Sequence, residues 1–326
     1  MKYIGIQTQK RRNNLRSTLM LLLFPCVILL LTWVFCYVSA SYLYGNIVYD
    51  SEIFGPPPFT DPNYMFLHAA PWVIGGCLIW FLIAYFSNTV IINKSTGARP
   101  LERRENKRVY NLVENLCIGA NMEMPKINVI DDDSLNAFAS GLNRKNFTVT
   151  LSRGIIGKLN DQELEAVIAH ELTHIRNNDV KVLIVSIVFV GIFSFLTQIL
   201  FRVMLNGSFR VRGNSKNNGG GIIVIMLLAL VLAAVGYLIT ILMRFAISRK
   251  REYMADAGSA EMTKNPWALA SALRKISADP YIEAISQNDV AQFFIDNPLE
   301  KGKSFINEIF ATHPPIAKRI AVLEGF

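Results

Sequence analysis

The chain is 326 residues long, 52% hydrophobic and 18% charged, with a net charge of +8 at pH 7. So much apolar sequence excludes a wholly soluble enzyme or a disordered chain and places part of the polypeptide in lipid. The four cysteines form no C-x-x-C pair, which excludes a disulfide framework or a thiolate metal site; the positive charge lies beside apolar runs and not among interleaved aromatics, which argues against a nucleic-acid partner.

Residues 1–16 carry Lys2, Lys10, Arg11, Arg12 and Arg16 and no acid. An apolar run over residues 19–38 follows, long enough at about 20 residues to cross a bilayer. A cleaved signal peptide is the rival reading, but its apolar region is ordinarily shorter and no small-residue cleavage site follows, so a retained anchor is expected. Residues 41–68 hold Asp50, Glu52 and Asp61, no Lys or Arg, and the run Pro56, Pro57, Pro58, as an outer loop would. A second apolar run covers residues 72–92, and Lys94, Arg99, Arg103, Arg104, Lys107 and Arg108 follow it. Basic, span, acidic, span, basic predicts that the N-terminus and everything just after residue 92 lie on the cytoplasmic side.

Residues 94–180 then read as a soluble block. Val109, Leu112, Val113 and Leu116 mark an amphipathic helix. Short strands are predicted at 126–130, 136–141 and 147–152, the last two separated by a polar turn at Asn143. Next, Asn160 and Glu163 have the spacing of a capping box, and Leu164, Val167, Ile168, Leu172 and Ile175 form an apolar stripe at helical period. That helix carries His170, Glu171, Leu172, Thr173 and His174, an H-E-x-x-H motif. Two imidazoles one turn apart share a helix face and can bind one Zn²⁺, while Glu171, beside the first, reaches a water on the ion but not the ion itself. The ion lowers the pKa of that water towards ~7, and Glu171 takes its proton. A chance pattern on an ordinary helix is the plain alternative, but two of only four histidines fall in this motif, in the helical context it needs.

Two more apolar runs follow, at 182–200 and 222–243, joined by a loop at 206–221 rich in Gly, Asn and Ser. The loop carries Arg210, Arg212 and Lys216, which oppose the positive-inside tendency if both runs span; the flanks Arg176, Lys181, Arg244, Arg249, Lys250 and Arg251 outweigh it. A hairpin that crosses only part of the bilayer is the alternative. Residues 247–326 form a second soluble block. A catalytic zinc needs a third protein ligand and an open position. His68 falls on the outer side, which leaves His313 and Glu252, and Glu252 is preferred because a spanning hairpin returns it to the face that holds His170. Asp256, one turn on, can hydrogen-bond a ligand imidazole. Ordinary pairs with neighbouring basic residues are the alternative for both acids. His313 precedes Pro314 and Pro315, which suggests a helix start and a capping role.

Taken with the stretch Asn136 to Gly141 and the stretch Thr312 to Ile320, the H-E-x-x-H motif and the Glu252/Asp256 pair resemble the HtpX family of membrane-embedded zinc metalloproteases, gluzincins related to the CAAX prenyl endopeptidases. The order of two spans, motif, two spans and glutamate extends that resemblance over nearly the whole chain. It implies a mainly α membrane protein: a membrane hairpin (1–93), a first part of a cytoplasmic α+β peptidase domain (94–180), a second hairpin (181–246) and a second peptidase part (247–326). It implies that His170, His174 and Glu252 hold one Zn²⁺ per chain, that Glu171 is the general base and that Asp256 supports a ligand. It further implies that His313 and Arg319 steady the oxyanion, and that a strand of Asn136, Ala137, Phe138 and Ala139 binds extended substrate; an ordinary core strand is the alternative there. The implied activity is endopeptidase cleavage of misfolded or damaged membrane proteins under stress, in a multi-pass protein of the cell (inner) membrane whose partners are protein or peptide substrates and the lipid bilayer. A prenyl-protein endopeptidase and a non-catalytic scaffold stapled by zinc are the competing functions; the first ordinarily has more spans, and the second has no need of Glu171.

Overall fold

A computed structural model of the chain describes residues 6–46, 60–205, 219–245, 250–277 and 314–325. Most of the loop expected at 206–221 lies outside these residues. The chain divides into two compact units, Met1–Ser17 with Tyr85–Ile184 and Phe245–Phe326, and Thr18–Ala84 with Val185–Arg244. In chain order the helices are α1 (Ile6–Asn46), α2 (Pro62–Thr96), α3 (Lys107–Gly119), α4 (Arg153–Lys158), α5 (Asp161–Arg176), α6 (Asp179–Leu205), α7 (Gly219–Phe245), α8 (Lys250–Thr263), α9 (Pro266–Ile276) and α10 (Ile316–Leu323). The strands are β1 (Arg99–Pro100), β2 (Lys126–Ile130), β3 (Ala137–Ser140) and β4 (Thr148–Ser152).

The first unit is built around α5. Asn160 caps it, accepting the Glu163 N–H at 2.9 Å, while the Glu163 carboxylate accepts the Asn160 N–H at 3.0 Å. This reciprocal pair satisfies two backbone donors that a helix start otherwise leaves unpaired. The helix ends at Asn177, and Asn178 turns the chain with φ of 59°. α3, α8, α9 and β3 all pack on α5, and α10 packs on α8 and α9. The sequence shows an apolar stripe on this helix, yet its polar positions Glu163, His170, Glu171 and Thr173 are buried as well. The face that periodicity marks as solvent-facing is instead an interior lined by other elements.

The four strands form one sheet in the order β1-β2-β4-β3, with β2 and β4 parallel and both outer pairs antiparallel. The three expected strands appear within a residue or two. The two-residue β1 and the six-residue helix α4 were not anticipated, because elements this short show too little periodicity to read. β3 is an edge strand. Asn136, just before it, accepts the Ser152 N–H at 3.0 Å and donates its own N–H to Ser152 Oγ at 3.1 Å. By the antiparallel alternation, Phe138 and Ser140 then bond to β4, and the backbone groups of Ala139 point away from the sheet.

The second unit consists of the apolar stretches of α1, α2, α6 and α7. Among the described residues, Arg11–Tyr42, Pro62–Ser87, Asp179–Val203 and Ile223–Thr240 are long and apolar enough to cross a membrane. The second helix begins before the apolar run that marks it in the sequence and passes through Pro71, a break that membrane helices tolerate when neighbours re-satisfy the backbone. Phe24 stacks on Phe189 with ring centroids 3.9 Å apart and meets Phe193 edge-on at 5.7 Å. The Trp80 indole N–H donates to the Val188 carbonyl at 3.2 Å. Outward, Trp72, Leu67, Leu22 and Leu78 are exposed, as lipid-facing residues are.

Candidate metal centre

α5 places His170 and His174 one turn apart with their Nε2 atoms 3.2 Å from each other. α8 brings Glu252 between them: one carboxylate oxygen is 3.6 Å from His170 Nε2 and the other 3.6 Å from His174 Nε2. The three donor atoms lie within 4.8 Å of one another, a set that could hold a metal ion. A tetrahedral ion with bonds of about 2.0–2.2 Å spaces its ligand atoms roughly 3.3 Å apart, so the observed spacings suit one ion. Charge points the same way. Among the described residues, the buried carboxylates here, Glu171, Glu252, Asp256 and Asp179, outnumber the fully buried guanidinium of Arg319, and buried negative charge requires a compensating cation.

The Nδ1 atoms face carboxylates and leave Nε2 for a metal. His170 Nδ1 is 3.0 Å from Asp256 Oδ1, and His174 Nδ1 is 3.0 Å from Asp179 Oδ2. Such pairs fix the tautomer and orientation of a ligating imidazole. Asp256 in turn takes a bidentate pair from Arg319, Nε to Oδ2 at 2.9 Å and Nη2 to Oδ1 at 2.7 Å. Arg319 Nη2 lies 3.4 Å from the His170 ring, and its Nη1 is 3.6 Å from Glu252.

This crowding sets the protonation of the metal-free protein. Burial opposes charge on His170, and Arg319 adds to that, but Asp256 and Glu252 outweigh both and push the imidazole up to about 9. The carboxylates that favour a proton there favour a metal cation equally. Burial works to raise Asp256, but Arg319 and His170 hold it below the usual carboxylate range. Burial would likewise lower Arg319, yet Asp256 with Glu252 and Glu171 raises it further, so it stays charged. Glu171 moves the other way: burial, with Glu252 adding, lifts its carboxyl above the ordinary value despite the two imidazoles and Arg319.

The profile of the peptidases described as Peptidase family M48 matches residues 103–326. The chain belongs to peptidase family M48. It is similar over its whole length to the Protease HtpX homolog of Bacteroides fragilis (strain ATCC 25285), 61% identical over 329 residues that make up 100% of both chains. The Protease HtpX homolog of Dictyoglomus turgidum is 39% identical over 255 residues, 75% of this chain and 80% of that one. Among solved structures, S. mikatae Ste24p matches with a TM-score of 0.42 and 22% identity, over 81% of this chain and 58% of the other. The HtpX resemblance read from the motifs is borne out, and with it a membrane metallopeptidase that acts on proteins or peptides.

Within this M48 peptidase, the structure brings His170, His174, Glu252, Asp256 and Arg319 together and buries Glu171 beside them. Asn136, Ala137, Phe138 and Ala139 lie at the sheet edge, on or next to the strand that packs on α5. His313 lies outside the described residues; Pro314 and Pro315 do introduce a helix, α10, which carries Arg319. His68 sits in the other unit with Nδ1 donating to the Tyr64 carbonyl at 2.8 Å. Sequence reasoning missed Asp179 and Asn13, the latter donating to Asp179 at 2.6 Å. An acid five residues after the second motif histidine was the available signal for Asp179; nothing local pointed to Asn13.

Proposed function

We propose that this M48 peptidase is a zinc endopeptidase whose ion is held by His170, His174 and Glu252, with Glu171 as general base, and that it cleaves membrane proteins from the cytoplasmic side. The observation that carries the reading is the convergence of three metal-donor atoms from α5 and α8 beside a buried carboxylate on the same helix turn. Zinc, when bound, supplies Lewis acidity to the scissile carbonyl and acidifies water. Glu171 accepts the proton of the attacking water and returns it to the leaving amine; its raised pKa brings it towards the operating pH, where general bases work best. An extended substrate would add to the edge strand β3 through backbone hydrogen bonds, which demand little of its sequence. Arg319 would steady the developing oxyanion, a task assigned on its place in the motif and beside the metal donors. His313 is assigned the same task on its place in the motif.

The membrane hairpins are assigned to residues 1–93 and 181–246, and the two parts of the peptidase domain to 94–180 and 247–326. The basic flanks of the apolar helices support cytoplasmic placement of both parts. A protease anchored in lipid meets misfolded membrane proteins first, which supports a quality-control role under stress. The test is cleavage of casein by the purified zinc-loaded protein. Glu171→Gln should lower turnover by about 10²–10⁴-fold with zinc still bound. Undiminished cleavage by that variant would remove Glu171 from the mechanism, and a fourth protein ligand on the zinc would favour a scaffold.

A further inference from the structure

His170 takes its support from Asp256 on α8, close in sequence to the ligand Glu252. His174 takes its support from elsewhere. Its partner Asp179 is buried at the first position of α6, where the helix dipole favours a carboxylate. The Asp179 oxygens divide their work: Oδ2 faces His174 Nδ1 at 3.0 Å, and Oδ1 accepts from Asn13 Nδ2 at 2.6 Å. The same amide nitrogen donates to the Asn177 carbonyl at 3.0 Å, at the end of α5. Both groups are pure acceptors, so only the NH₂ end of Asn13 suits this place. Asn13 is buried although Arg11, Arg12, Asn14, Leu15 and Arg16 around it are exposed. Arg251, the neighbour of Glu252, donates to the Asp179 carbonyl at 3.3 Å. Asn14, next to Asn13, touches the same turn through Asn178 at 3.1 Å but has no route to the metal.

We infer that Asp179 and Asn13 are positioning residues for the metal: Asp179 orients His174, Asn13 holds Asp179, and the opening turns of the N-terminal helix α1 thereby belong to the scaffold of the metal site. This rests on the reading of His174 as a zinc ligand. Each ligand histidine then has its own aspartate, and each aspartate its own clamp, Arg319 for one and Asn13 for the other. A neutral amide is the weaker clamp, so the His174 half of the site is the more readily loosened.

The experiment uses the full-length protein in detergent and reads zinc affinity by competition with a chromophoric chelator, together with the visible spectrum of the Co²⁺-substituted form. Asp179→Asn should weaken zinc binding by about 10- to 100-fold, and Asn13→Ala by about three- to tenfold, each with an altered Co²⁺ spectrum. Asn14→Ala should change neither. Asn13→Ala should add nothing to the loss in Asp179→Asn, because it acts through that residue. Thermal unfolding of the metal-free variants separates a folding defect, since loss of affinity with unchanged metal-free stability is what positioning requires. Full zinc affinity in Asp179→Asn, or additive losses in the double variant, overturns the inference. The reading beneath it fails separately: if His174→Ala keeps its zinc affinity, His174 is no ligand.

Discussion

Arg319 is the largest fully buried side chain of the described structure, and Asp256 binds it through two parallel hydrogen bonds. A guanidinium at zero exposure is sustained only by charge and hydrogen bonding together. Asp256→Ala would leave that charge buried and its partner gone. The expected result is a loss of about 3–5 kcal/mol of stability, read by chemical unfolding in detergent micelles, in addition to weaker metal binding. The reach of Asp256 to both His170 and Arg319 could not be read from spacing, which shows only that it sits one turn beyond Glu252. Arg319 entered the sequence reading through a motif, as a group near the reacting carbonyl. The structure adds its second engagement, with the carboxylate that supports a ligand.

The start of α5 couples a helix cap to another helix. Glu163 completes the capping box and also accepts from Ser271 Oγ and Lys275 Nζ of α9, each at 2.7 Å. Burial works to raise its pKa, but Lys275, Ser271 and the Asn160 N–H outweigh it, and Glu163 titrates below its ordinary value of 4.5. A carboxyl depressed on folding contributes stability that is fully present above its unfolded pKa and is lost as pH falls through the folded one. Melting temperatures measured from pH 6 downward should therefore fall more steeply in the native protein below about pH 4.5 than in Glu163→Gln. The contact between α5 and α8 is as specific. A Cβ at Gly258 would lie 2.4 Å from Thr173 Cγ2, and Ser259 donates to the Ala166 carbonyl at 2.6 Å across the same seam. Gly258→Ala should force the two helices apart, at a cost of about 1–3 kcal/mol in thermal stability, and should weaken metal binding because Glu252 rides on α8.

On the scale of the molecule, both parts of the sequence that flank α6 and α7 contribute to the unit that holds the metal donors. Under the proposed topology, two spanning helices in succession would return the chain to the side it left. Sealed right-side-out vesicles should protect sites introduced at Lys145 and at Lys318 from added protease, and inverted vesicles should expose both. Cleavage at just one of the two in either preparation would break the proposed topology. The bilayer also explains the composition. Trp72 is 83% exposed and Leu67 68% exposed, values that a water-soluble surface would not sustain in such numbers alongside the other exposed apolar residues of α1 and α2.

The sequence by itself determined what depends on neighbours along the chain: the four apolar helices, the capping box at Asn160, the three strands, and two histidines on one face of α5. These are periodicities and spacings, and a local pattern carries them whole. Choosing Glu252 over His313 as the third donor rested on topology and on family resemblance; spacing alone left both open. Only the tertiary structure decided that Glu252 reaches both imidazoles, that the polar face of α5 is an interior, and that Asn13 meets Asp179 from 166 residues away. Contacts of that kind arise from how separate elements pack, and packing between distant segments leaves no period in either one.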